Sequence, residues 1–217
     1  MTGIIDAGNV ASRRTFFSEE KFQQSYEDSI ADPNDFWATQ AMEFLTWQQT
    51  WSQVSTCNME RGEIGWFVDG KLNASENCID RHLADKANRT AIIWEGDEPG
   101  ESKKISYRDL FEEVCKLANG LKSLGVKKGD RVCIYMPMIP EAAFAMLSCA
   151  RIGAIHSVVF GGFSPQALED RILDADCHFV ITANEGLRGG RIVPLKQNVD
   201  RALENCPNVK SVVVAKR

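Results

Sequence analysis

The chain has 217 residues, 44% of them hydrophobic and 25% charged, enough to bury a sizeable core and ordinary for a globular protein. Its 25 Lys and Arg against 30 Asp and Glu leave a formal charge of -5, which excludes a general basic footprint for nucleic acid, so any anion site has to be local. No run approaches the ~18 apolar residues of a membrane span, and the opening stretch MTGIIDAGNVASRRTFF lacks the basic start and apolar core of a signal peptide, so a cytoplasmic location is expected.

In chain order, SEEKFQQSYEDSIA reads as a short amphipathic helix with Ser18 as N-cap and Phe22 and Tyr26 four residues apart. DPNDFWATQAMEFLTW follows with Asp32 as cap and Pro33 at the first helical position, and with Phe36, Trp37, Met42, Phe44 and Leu45 as expected apolar contacts. Trp37, Trp47, Trp51 and Trp66, four of the five tryptophans, all precede residue 70. Residues 1–74 are therefore expected to form a helical, Trp-rich extension held down by aromatic anchors.

From residue 75 to 217 the pattern alternates. After the Asp69-Gly70 turn, NASENCIDRHLADKANR predicts a helix capped at Ser75, and TAIIWEG predicts a strand. SYRDLFEEVCKLANGLKSLG predicts a helix with Ser106 and Asp109 in capping-box spacing and Gly125 at its left-handed end. DRVCIYM reads as a buried strand. PEAAFAMLSCARIG is a helix apolar nearly all round, which suits a place between layers. Then come strand AIHSVVF, helix SPQALEDRILDA, strand HFVITA, a glycine-rich loop, helix PLKQNVDRALENC and strand VKSVVVA. Helices of ten or more residues between short apolar runs predict an α/β fold, with a mostly parallel sheet and flanking helices.

Ligands of open α/β sheets bind beyond the carboxyl ends of the strands, and two glycine-bearing loops sit there, VVFGGFSP and ITANEGLRGGR. If their strands are neighbours, Phe160, Gly161 and Gly162 approach Arg188, Gly189, Gly190 and Arg191. Glycines without side chains let a flat ring lie against backbone, and two guanidinium groups suit phosphate oxygens, so the pattern points to a phosphorylated nucleotide. The bland alternatives are a tight turn and solvent-facing arginines. A Walker-type phosphate loop, a dinucleotide fingerprint and a nucleophile elbow are all absent from the sequence. His82, His156 (expected in a buried strand) and His178 are scattered, and the seven cysteines lack C-x-x-C spacing, so neither a catalytic residue nor a metal site is assigned and buried free thiols are expected.

NCIDRHL, RTAIIWEGD, KKGDRVCIYMPMIPEAAFAMLSCARIGAIHSVVFGGFSP and LRGGR, taken together over residues 15–217, resemble the N-terminal part of the AMP-forming acetyl-coenzyme A synthetases, in the acyl-adenylate-forming superfamily. The resemblance implies acetate activation by ATP and Mg2+ to an acetyl-adenylate, followed by transfer to coenzyme A. It assigns Arg188, Gly189, Gly190 and Arg191 to the nucleotide end of coenzyme A, and Phe160, Gly161 and Gly162 to the lining of that pocket. Family members often carry a small residue such as Ala where this chain has Gly189, a change that loosens the loop without removing its charges. The family's ATP-phosphate loop, acetate pocket and C-terminal domain have no counterpart in the chain. The resemblance therefore implies a part of a longer enzyme, inactive alone, whose partners are acetate, ATP, coenzyme A and the remaining domains, with no nucleic acid or membrane. Alternatives from other classes are a propionate-activating relative, a stand-alone nucleotide-binding module and an interaction domain.

Overall fold

Why a 217-residue chain divides in two is visible in its local chemistry. The structure, a computed structural model, describes residues 18–217; expectations for residues 1–17 lie outside the described residues. Two compact units result, divided between Lys71 and Leu72.

In the first unit, helix α1 (Glu19–Ala31) starts where the Ser18 hydroxyl accepts from the Lys21 amide at 3.2 Å. Helix α2 (Pro33–Phe44) starts where the Asp32 carboxylate accepts from the Asp35 amide at 3.0 Å. Strands β1 (Gln53–Asn58) and β2 (Glu63–Val68) then form an antiparallel hairpin that the expected helical extension did not contain. Val54, Thr56, Ile64, Trp66 and Val68 are β-branched or aromatic, which suits a pleated surface better than a helix. The anchor is an aromatic cluster: Trp51 lies 4.9 Å from both Trp47 and Phe67, and the Trp47 indole donates to the Ala41 carbonyl at 3.0 Å. By contrast Trp37, Met42, Phe44 and Leu45, expected as apolar contacts, are exposed, and α2 buries only Ala41.

The second unit opens with a helix broken in three, α3 (Ala74–Cys78), a 3-10 turn (Asp80–His82) and α4 (Leu83–Lys86), where one helix was expected. Its cap is Asn73 rather than Ser75: the Asn73 side-chain oxygen accepts from the Ser75 and Glu76 amides at 2.9 and 3.2 Å. The Asn73 amide also donates to the carbonyls of Ala150 and Arg151. Strand β3 (Thr90–Glu95) stays outside the main sheet and pairs antiparallel with β4 (Ser102–Ser106), a strand the alternating pattern did not suggest. Helix α5 (Tyr107–Ser123) carries the expected capping box of Ser106 and Asp109.

The main sheet is parallel throughout. Strand β5 (Arg131–Met136) is central, flanked by β6 (Ile155–Phe160) and β7 (Phe179–Ala183), with β10 (Ser211–Ala215) beyond β7. Helix α6 (Pro140–Ile152) crosses from β5 to β6 and packs between the sheet and α5, as its apolar circumference required. Helices α7 (Pro165–Asp174) and α8 (Leu195–Leu203) pack against each other. Right-handed crossovers put α6 on one face and α7 with α8 on the other, because the connections from β6 and β7 run in the opposite sense. The core is continuous across both faces, from Val132, Ile134 and Tyr135 on β5 to Leu168, Ile172, Leu195 and Val199 on the helices. Strand β6 lies at the edge, so Ile155, His156, Val158 and Phe160 are exposed, not buried as the apolar run suggested. Of the cysteines, Cys133, Cys149, Cys177 and Cys206 are buried free thiols, while Cys57 and Cys78 are exposed.

Candidate functional site

Strands β5 and β7 are adjacent, yet the connection from β5 leads to β6 on one side and the connection from β7 leads to β10 on the other. Their carboxyl ends therefore part, which creates the crevice where open α/β sheets take ligands. Strands β6 and β7 are not neighbours, because β5 runs between them, so the condition set on the sequence is not met; their loops meet across the end of β5 nonetheless.

The glycine-rich segment is a hairpin rather than an open loop. Strands β8 (Gly186–Arg188) and β9 (Arg191–Val193) pair antiparallel with Arg188 directly opposite Arg191. Gly189 and Gly190 connect them at φ 54° and 73°, the left-handed pair that a two-residue hairpin turn requires. Directly opposed residues of a ribbon project from the same face, so the two arginine side chains leave the hairpin on one side. Among the described residues, neither guanidinium has a carboxylate partner.

A cavity of about 240 Å³ lies in the crevice. Phe160, Gly161 and Gly162 form one wall, and Arg188 and Gly189 another. The Arg188 guanidinium sits 5.0 Å from the centre of the Phe160 ring, a cation–π contact that joins the two segments. Gly190 and Arg191 stand outside the lining, on the turn and strand that follow. A side chain at Gly161 would bring its Cβ within 2.8 Å of the Met136 carbonyl oxygen, and one at Gly162 would meet the Arg188 guanidinium at 2.5 Å. The absent side chains are thus what allow the wall to close against β5 and the arginine.

The sequence reading overlooked several lining residues. Met136 ends β5 and Pro137 and Met138 follow it, the same kind of strand end that identified the other two loops, so the carboxyl-end rule applies to them equally. Gly186 and Leu195 form the floor, where a Cβ on Gly186 would lie 3.3 Å from Leu195. Asp97, from the β3–β4 connection, reaches the cavity with no local signal; its carboxylate lies 3.8 Å from Arg217, so its charge is partly matched.

Outside the lining, one residue before Met136 on β5, is the buried Tyr135 hydroxyl. It donates to the Phe163 carbonyl at 2.7 Å and accepts from the Asn198 amide at 3.2 Å. Burial pushes the phenol above its ordinary range, opposed by the Asn198 contact, so the hydroxyl keeps its proton near neutral pH. His82, His156 and His178 lie outside the cavity, and the described residues contain no group of three or more His, Cys, Asp or Glu able to hold a metal ion. No helix among them is long and apolar enough to cross a membrane.

The arrangement suits an anionic ligand with a flat portion: two guanidinium groups with no carboxylate partner among the described residues, a backbone wall free of side chains, and an aromatic ring. Comparison with known proteins agrees on the family. Residues 79–217 match the AMP-binding enzyme family, and residues 22–78 match the acetyl-coenzyme A synthetase N-terminus. The chain is 60% identical over 206 residues to acetyl-coenzyme A synthetase 2 of Pseudomonas putida, covering 95% of this chain and 32% of that protein. It is 58% identical over 216 residues to acetyl-coenzyme A synthetase of Alkalilimnicola ehrlichii, covering 100% of this chain and 34% of that one. The chain thus spans about a third of the length of these relatives. Among solved structures, acetoacetyl-CoA synthetase from Streptomyces lividans shares the fold, with a TM-score of 0.80 at 22% identity over 96% of this chain and 31% of that chain. The chain belongs to the AMP-binding enzyme family, and what it spans corresponds to the N-terminal part of the family's acetyl-coenzyme A synthetases.

Proposed function

We propose that this chain serves an acetate–coenzyme A ligase of the cytoplasm, as the part that carries one side of the coenzyme A site. In the reaction of such an enzyme, the acetate carboxylate attacks the α-phosphorus of ATP, expelling pyrophosphate and leaving an acetyl-adenylate. The coenzyme A thiol then displaces AMP and forms the thioester. Residues 1–74 act as an extension of the α/β section at 75–217. ATP, Mg2+ and acetate are handled by the remainder of such an enzyme, and the chain alone turns over no acetate.

The observation that carries the reading is the Arg188–Phe160 contact at the sheet crevice, with Gly161 and Gly162 behind it and Arg191 alongside. The residues fit the 3'-phospho-ADP end of coenzyme A. Arg188 and Arg191 meet phosphate oxygens, while the glycine wall and the guanidinium plane accept the adenine. At about 240 Å³ the cavity is smaller than the ~300–1,000 Å³ common for small-molecule sites, which accords with a site finished by further chain. Calorimetric titration of coenzyme A at low salt tests the reading. Each of Arg188→Ala and Arg191→Ala is expected to weaken binding about tenfold or more. No heat from a folded wild-type chain, or wild-type affinity in both variants, refutes it.

A further inference from the structure

We propose that Tyr135 is a positioning residue for this site: its buried hydroxyl ties the Phe160–Phe163 turn and the arginine hairpin to one point on the central strand. The inference rests on the coenzyme A reading above but has a readout independent of it.

Beyond Phe160, the end of β6 opposite Met136 of β5, neither segment has regular pairing to the main sheet. The first is a turn closed by the Phe163 amide donating to the Phe160 carbonyl at 3.0 Å, with Gly161 and Gly162 inside it. The second is a two-stranded ribbon paired only with itself. Each is exposed at its tip, so its position relative to the other depends on what lies beneath.

Beneath both is Tyr135, on the strand that separates β6 from β7. Its hydroxyl has one proton and donates it to Phe163, the last residue of the turn, at 2.7 Å. A lone pair accepts from Asn198 at 3.2 Å, and Asn198 lies in the first turn of α8, whose amide bonds the Pro194 carbonyl directly after β9. One oxygen thus bonds the turn directly and reaches the hairpin through Asn198 and Pro194. Leu195 forms an apolar counterpart, within 3.5 Å of the Cβ positions of Gly161 and Gly186. Leu195 supplies volume without direction. The Tyr135 hydroxyl supplies direction, because a partly buried carbonyl and a partly buried amide each lose a partner if it moves.

The consequence is that Arg188 meets Phe160 at 5.0 Å because the hairpin, through Asn198, and the Phe163 end of the turn are both referred to Tyr135, while β6 pairing holds Phe160 itself. Tyr135→Phe removes only the oxygen and keeps the ring volume, so the core remains filled. The experiment compares wild type, Tyr135→Phe, Arg188→Ala and the double variant by coenzyme A titration, with amide hydrogen exchange on each free protein. The proposal expects Tyr135→Phe to weaken coenzyme A about tenfold, with faster exchange in residues 160–163 and 186–193 and unchanged exchange in β5 and α6. It also expects Arg188→Ala to cost much less in the Tyr135→Phe background than in wild type, a non-additivity that a merely structural role would not produce. Wild-type affinity in Tyr135→Phe, or faster exchange spread evenly through the sheet, overturns it. If wild type itself binds no coenzyme A, the ligand reading fails. The tie is then judged by exchange alone: faster exchange confined to the two segments supports it, and no change in them overturns it.

Discussion

Replacing Gly161 by Ala tests the claim that the cavity wall is set by backbone contact. The added Cβ would sit 2.8 Å from the Met136 carbonyl oxygen and 3.3 Å from its carbon, with Leu195 at 3.5 Å. Met136 is the last residue of the central strand β5 and pairs with Phe160 of β6, so the clashing atoms belong to sheet backbone. The turn must yield instead. Overpacking of this kind costs about 1–3 kcal/mol, equivalent to a melting shift of roughly 2–12 °C for a protein of this size. Gly189→Ala provides the contrast: nothing lies within 4 Å of its Cβ, and the whole penalty is the left-handed φ of 54°, about 1 kcal/mol. Urea unfolding followed by circular dichroism compares the two, with coenzyme A titration alongside. Gly161→Ala should lose more stability than Gly189→Ala and should also weaken binding by displacing Phe160 from Arg188. Equal midpoints for Gly161→Ala and wild type would refute the packing argument, since they would mean that the wall has room to move.

Burial pushes the Cys133 and Cys149 thiols up from 9.0 to about 12. Unfolded chains release these protons as pH rises past 9.0 while the folded chain keeps them, so the folded state binds more protons and stability should fall from about pH 9 towards 12. Cys149→Ala should flatten that slope in pH-dependent urea melts. At pH 8, mass-resolved alkylation should label Cys57 and Cys78 in the folded chain, and should reach Cys133, Cys149, Cys177 and Cys206 only after denaturant is added. Asn73→Ala removes both the cap of α3 and two bonds to the end of α6, and should cost about 1–2 kcal/mol in the same melts. Ser148→Ala deletes a buried hydroxyl that donates to the Val114 carbonyl at 3.0 Å, and should cost about 1 kcal/mol by loosening α6 from α5.

Helix starts in this chain were legible wherever the cap was a short polar residue before a periodic run: Ser18, Asp32, Ser106 and Ser164 all accept from the amide three residues on. Asn73 was missed because Ser75 is an equally good cap by type, and the choice is made by Ala150 and Arg151, seventy-seven and seventy-eight residues away. Strand β4 carries Lys103 and Lys104 and borders a capped helix, so nothing in its composition distinguishes it from a loop; its pairing with β3 defines it.

The sequence by itself determined the fold class, the alternation of main-sheet strands with their connecting helices from β5 to β10, and the two segments that supply the candidate site, because periodicity, caps and glycine placement are local properties. Family membership was legible for a related reason, since long ordered phrases survive without knowledge of their contacts. Only the tertiary structure decided that β5 runs between β6 and β7, that the glycine-rich loop is a hairpin with Arg188 opposite Arg191, that Met136 and Asp97 line one cavity, and that the Tyr135 hydroxyl bonds Phe163 and Asn198. Strand order follows from how the helices pack on the two faces of the sheet, a competition among distant apolar surfaces that no local pattern encodes.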